Sequence, residues 1–196
     1  HFAGAPLMTV AELLRWPGVI EESHIGQESL QADVAALTAK TVAAFVESRP
    51  PVVEVMSIAQ LAVMCRDVNT RVHIAHVSCA AALATLRAAQ ATGLPMTGET
   101  CPHYLQFTAA DMDRHGPFAM IKPPLRNAAD QAALWDGLLS GVLCVITTDH
   151  SPFTLAEKER GLDNIWSGAI GSPGVEALVP FVLTEALEGR MALETA

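Results

Sequence analysis

The chain has 196 residues, 51% of them hydrophobic, with 21 acidic against 12 basic residues and a formal net charge of -9. That acidic balance, without any run of Lys or Arg, disfavours a nucleic-acid backbone or an anionic membrane surface as partner and leaves a small polar or neutral substrate as the natural one. No apolar stretch reaches the roughly 20 residues that span a bilayer, and no basic segment leads into an apolar core near the start, so a soluble, cytoplasmic protein is expected.

Taken in chain order, residues 2–28 carry little pattern beyond a short helix at 10–16. Residues 29–48 place apolar side chains at helical spacing, and Arg49-Pro50-Pro51 stops the run. A second helix follows at 54–67, then a short buried strand at 72–77. An Ala-rich helix at 80–91 ends at Gly93 and Pro95, and a strand occupies 96–100. A helix at 127–139, a strand at 142–148 and a helix at 174–188 continue the alternation, and 191–196 reads as the start of another helix. Strands alternating with helices predict an α/β fold of parallel strands joined by right-handed crossovers. No internal repeat or Gly/Ser linker divides the chain, so 1–196 is read as one domain. The long loop at 154–172 follows a strand tip, where loops often cover a site.

Two polar islands end apolar, β-branched runs: RVHIAHVSC at 71–79 and TTDHSPF at 147–153. The C-terminal tip of a buried parallel strand is where α/β folds place metal ligands and catalytic groups. His73 and His76 are three apart on a strand, so their side chains point to opposite faces and only one can enter a site. His76, nearer the tip, is the candidate ligand, and His73 is expected to pack under a crossover helix. Asp149 lies at a strand mouth as a ligand, a general base or a capping acceptor for the next loop. Its neighbour His150 supports the site or lies on the surface.

Glu99, Cys101 and His103 form a third cluster, for which thiol catalysis would require the strand to continue through Pro102. Lys122-Pro123-Pro124 fixes an extended backbone that can present main-chain hydrogen bonds. Cys65, Cys79, Cys101 and Cys144 have no metal-knuckle or disulfide spacing and are expected to be buried reduced thiols.

The order HIAHVS (73–78), GETCPHYL (98–105), PPLR (123–126) and TDHSPF (148–153) resembles the second half of a cyclic amidohydrolase. That family includes allantoinases, hydantoinases, dihydropyrimidinases and dihydroorotases, and the similarity covers roughly residues 40–190. The resemblance implies a (β/α)8 TIM barrel with two divalent metals, usually zinc, bridged by a carboxylated lysine and a hydroxide. It assigns one ligand to His76 and another to Asp149, which also shuttles protons. His1 is the only residue placed to match the ligand histidine of the preceding strand.

The implied reaction is hydrolysis of a ring C–N bond in a small cyclic amide or ureide, by an enzyme that is a homo-oligomer when intact. Within the family, Phe153 stands where dihydroorotases typically carry a substrate-binding histidine, which argues against that subgroup. GETCPHYL is closest to allantoinases, whereas DHSPF and SPGVE (172–176) lean towards hydantoinases and dihydropyrimidinases. Lys122 and Ile170 occupy substrate-contacting positions with departures from the hydantoinase pattern.

A full barrel needs about 250 residues, and this sequence has neither an HxH motif nor a lysine at the bridging position. The chain is therefore expected to be a partial barrel, approximately strands five to eight, without a complete binuclear site and inactive alone. Such a piece leaves a strand edge unpaired and a core face exposed. Two other readings stand beside it: a non-catalytic, oligomer-forming relative of dihydropyrimidinases, and an unrelated α/β binding domain whose His76 and Asp149 lie far apart.

Overall fold

The computed structural model describes residues 40–192. The elements in chain order are α1 (Val42–Glu47), α2 (Pro51–Val68), β1 (Val72–Ile74), α3 (Ala80–Ala91), β2 (Met96–Thr100), α4 (Pro102–Gln106) and α5 (Ala109–His115). They continue as a 3-10 turn at Gly116–Ala119, α6 (Ala128–Leu139), β3 (Val145–Ile146), α7 (Leu155–Glu159), a second 3-10 turn at Ile165–Ser167 and α8 (Val175–Leu187).

Local chemistry sets most boundaries. Pro51 opens α2 at a position whose N–H would have no helical partner, and Asn69 closes it in a left-handed conformation, φ 48°. The Asn127 side chain accepts from the N–H groups of Ala129 and Asp130 to cap α6. Capping boxes open α5, between Thr108 and Asp111, and α7, between Thr154 and Glu157.

The three strands form one parallel sheet in the order β1-β2-β3, with Val72 opposite Met96 and Thr100 opposite Ile146. Along β2 the alternation is strict: Met96, Gly98 and Thr100 are buried, while Thr97 is exposed and Glu99 half-buried. The buried face meets α3, which buries Ala82, Leu83, Leu86 and Ala89 at helical spacing and packs between α2 and α6. Full burial of Leu86 contributes about 2 kcal/mol. Gly98 allows this approach: a Cβ there would lie 2.5 Å from the Leu86 Cδ2 and 3.3 Å from the Leu143 Cδ2.

The strands at 72–77 and 142–148 pair over shorter stretches than expected. After Ile74 the ladder breaks where His76 turns left-handed, and beside β3 only single bonds, Cys144 N–H to Gly98 O and Thr147 N–H to Thr100 O, extend the pairing. Of the helix expected at 29–48, the described part is Val42–Glu47, and Ser48 caps it before the prolines. The segment expected at 10–16 lies outside the described residues, as do residues 193–196 of the helix start expected at 191–196. Among those described, β1 and β3 each have one free edge, and α8 exposes Val175, Val179, Leu183 and Leu187, an apolar stripe four residues apart. No described helix is long and apolar enough to cross a membrane.

Two expectations are corrected. His73 does not pack under a helix: it is exposed on the opposite sheet face, where Nδ1 meets the Thr97 hydroxyl at 2.7 Å and Nε2 meets Glu99 Oε2 at 3.1 Å. Register explains this, because His73 is paired with Thr97 and shares its outward face. Cys144, expected to be buried, is exposed, whereas Cys65, Cys79 and Cys101 are buried and all four are free thiols.

Candidate active site

The C-terminal ends of β1 and β3 flank β2, and the first residues beyond the paired stretches include the candidate residues His76 and Asp149. His76 lies two residues past β1 with φ 42°, and Asp149 lies three past β3 with φ 45°. Both lie at the C-terminal end of the sheet, on the strands either side of β2. A left-handed backbone at a non-glycine residue costs of order 1–3 kcal/mol and persists where its surroundings over-determine it, commonly at functional sites. Both residues are half-buried. This shared mouth excludes an unrelated domain in which the two would lie far apart.

The surroundings of each tip are fixed by hydrogen bonds. Beyond His76, the Val77 N–H donates to the Glu99 carbonyl at 2.8 Å, and the Val77 carbonyl accepts from the Thr100 hydroxyl at 2.9 Å. Beyond Asp149, the Ser151 N–H donates to the Ser172 carbonyl at 3.0 Å. The His150 Nδ1 accepts the N–H groups of Gly174 (3.0 Å) and Val175 (3.3 Å), capping α8.

At β2 the chain does not continue as a strand through Pro102. Cys101 becomes the N-cap of α4, and His103 is half-buried with its ring 4.3 Å from that of Tyr104. Burial, reinforced by His76, pushes the His103 pKa down to about 4, so its imidazole is neutral. Its Nε2 is buried without a hydrogen-bond partner among the described residues. Burial, then the charges of Asp149 and Glu99, raise the Cys101 thiol far above its ordinary value. A thiol so hard to ionise is not a nucleophile.

Lys122 is exposed and lines a cavity of about 240 Å3 together with His76, Glu54 and Arg126. Ile170 instead packs against the hydrophobic core, and the following Gly171 N–H donates to the Met120 carbonyl at 2.9 Å. A second cavity, about 270 Å3, is lined by His103, Phe107, Asp111, His115, Phe118 and Ser172. A larger apolar cavity of about 550 Å3 between β3 and α8 holds none of the candidate residues. His1 lies outside the described residues.

An imidazole and a carboxylate are the donor types that zinc takes, so His76 and Asp149 fit such an ion in kind. Among the described residues no third His, Cys, Asp or Glu completes a cluster with them. A metal at either residue would need further ligands from outside the described residues.

Motif reading missed the residues that hold the His76 tip from behind. Glu54, in the first turn of α2, accepts from the Ser78 hydroxyl at 2.5 Å, the Ser78 N–H at 3.1 Å and Arg126 Nη2 at 2.7 Å. Ser78 and Arg126 belong to two of the motifs. The available signal for Glu54 was an acid in the first turn after a Pro-Pro helix start.

No protein-family model matches the sequence. An allantoinase of Enterococcus faecalis is 37% identical over 150 residues, which are 76% of this chain and 33% of the relative. A dihydroorotase of Syntrophotalea carbinolica is 37% identical over 147 residues, covering 75% and 34%. The solved structure of an L-hydantoinase (dihydropyrimidinase) from Arthrobacter aurescens superposes with a TM-score of 0.81 at 29% identity, over 86% of this chain and 38% of that one. The chain thus spans about a third of the length of the curated relatives it matches, and its α/β fold is part of the hydantoinase barrel. With its motifs in order, its strand tips on one mouth and its fold shared with hydantoinases, the chain belongs to the cyclic amidohydrolase family.

Proposed function

We propose that the protein is a zinc-dependent hydrolase that opens the ring of a small cyclic amide or ureide, allantoinase- or hydantoinase-like, to which this chain contributes approximately strands five to eight of the barrel. The observation that carries this reading is the pair His76 and Asp149, both left-handed, at the ends of the two strands that flank β2. Three parallel strands are described.

His76 would hold one metal and Asp149 the other, with His1 as a further ligand. When bound, zinc lowers the pKa of water and polarises the amide carbonyl. Asp149 accepts the proton of the attacking water as general base and hands it to the departing ring nitrogen as general acid, so the C–N bond breaks with the proton balance closed. Neutral His103 lines the cavity of about 270 Å3 together with Ser172 and would border the approach of a ring without adding charge. Lys122 borders the approach to His76, and Ile170 positions the main chain of its loop beside Met120.

The test is metal content and turnover of the full-length protein, with allantoin, hydantoin and dihydrouracil as substrates. About two zinc ions per chain and ring opening of one substrate are expected. Neither metal nor turnover would overturn the reading in favour of a non-catalytic, oligomer-forming barrel.

A further inference from the structure

We propose that Glu54, Ser78 and Arg126 form a positioning triad that clamps the tip of β1 and holds His76 in its left-handed conformation. Three separate parts of the chain meet there: the first turn of α2, the segment after β1 and the residues before α6. Arg126 is buried and Glu54 mostly so, with side-chain exposures of 6% and 14%.

Each polar group in the triad is engaged. Arg126 Nη2 donates to Glu54 Oε1 at 2.7 Å, Nε donates to the Ser78 hydroxyl at 3.3 Å, and Nη1 donates to the Arg49 carbonyl at 2.6 Å. Ser78 is tied twice to the Glu54 carboxylate, through its hydroxyl and its N–H. Arg49 braces the back of the cluster, with its guanidinium donating to the Phe45 carbonyl and the Ser48 hydroxyl and lying 4.1 Å from the Phe45 ring centroid.

The clamp acts on His76 through the chain. Ile74, two residues before it, is registered on Gly98, and Val77 is pinned through both its N–H and its carbonyl. Ser78, the next residue, is pinned to Glu54. His76 is therefore the single bend between two fixed points, which is how a strained backbone is kept in place. A buried ion pair is a poor source of net stability compared with an apolar cluster of the same volume, so its use here points to geometry. The triad touches no reacting atom, and its link to catalysis rests on the proposed role of His76.

The experiment uses the full-length protein with Glu54→Gln, Arg126→Ala and, as control, Arg87→Ala, whose partner Asp136 is exposed. Hydrogen exchange is read by mass spectrometry on metal-free samples, followed by zinc affinity from chelator competition. Val77 and Ser78 should exchange at least tenfold faster in both triad variants, with α3 unchanged. Zinc affinity should fall at least tenfold, and added guanidinium should restore both properties in Arg126→Ala but not in Glu54→Gln. If Arg126→Ala does not fold, Arg126→Lys is expected to show the same local loss in a folded protein.

Wild-type exchange at Val77 and Ser78 in a folded variant overturns the proposal. So does a uniform rise that includes α3, which makes the triad a general support of the fold. Local loss of protection in a protein that binds no zinc even as wild type supports the clamp and removes the metal reading, so the two failures are distinguishable.

Discussion

Gly174 lies so close to Thr148 that a Cβ on it would sit 2.5 Å from the Thr148 carbonyl oxygen. The start of α8 is thereby seated on the residue that precedes Asp149. Gly174→Ala must move backbone, and a stability loss of about 1–3 kcal/mol is expected, with displacement of Asp149 and reduced turnover. Gly98→Ala offers the contrast, because its 2.5 Å contact is the end of the Leu86 side chain, which can rotate. Chemical denaturation of the two variants should show the larger effect on activity at 174 even where stabilities are similar.

Asp149→Asn should lower kcat by about 10²–10⁴, the range for removing a positioned acid–base group. His103→Ala should act mainly through substrate affinity, since its neutral ring lies near the mouth without holding charge. Steady-state kinetics on the full-length protein separates these effects: a shared fall in kcat with unchanged KM would place His103 in the proton path instead.

The helix starts of α5 and α7 carry an acid signature. Asp111 is held below its ordinary 3.8 by the Thr108 N–H, and Glu157 below 4.5 by the Thr154 hydroxyl and N–H. Because the folded value is the lower one, the stabilisation is complete above the unfolded value and fades as pH falls through the folded one. Asp111→Asn and Glu157→Gln should therefore melt at lower temperature than wild type at pH 7, with the differences shrinking at pH 3. A difference that stayed constant with pH would exclude ionised capping boxes.

Thiol reactivity should be graded by burial. Cys144 is exposed, whereas burial and the Glu54 carboxylate push Cys79 up to about 11, and Cys101 is raised further. With iodoacetamide at pH 8, peptide mapping should find Cys144 modified first and Cys79 and Cys101 protected until the protein unfolds. Early labelling of Cys101 would reopen its exclusion as a nucleophile.

The helices at 80–91 and 127–139 were legible because their apolar spacing and caps are local, and the strand at 96–100 because turn residues bound it. The two short helices after Cys101 were hidden by extended-looking Pro102 and by a polar stretch whose cap depends on the Thr108–Asp111 pair. His76 and Asp149 could be picked out by their places at the ends of apolar runs, but their left-handed backbones could not, since neither residue type requires that conformation. His73 was misplaced because three residues on a strand reverse the face, and sequence alone does not say which face the helices cover. The Glu54–Arg126 pair spans 72 positions, and no local pattern links its partners.

The segment between Asp149 and α8 is tied down at several points. Lys158, buried and with its pKa lowered by that burial, directs its ammonium to the Met120 carbonyl at 3.1 Å and the Pro117 carbonyl at 3.4 Å. The Ala169 N–H reaches the Glu157 carbonyl, and Gly171 is bonded to Met120. Such a segment is a standing wall and not a hinged flap. If the protein opens cyclic amides as proposed, a molecule arriving at the strand tips meets a shape settled during folding, and selection between rings of different size should fall to steric fit on entry.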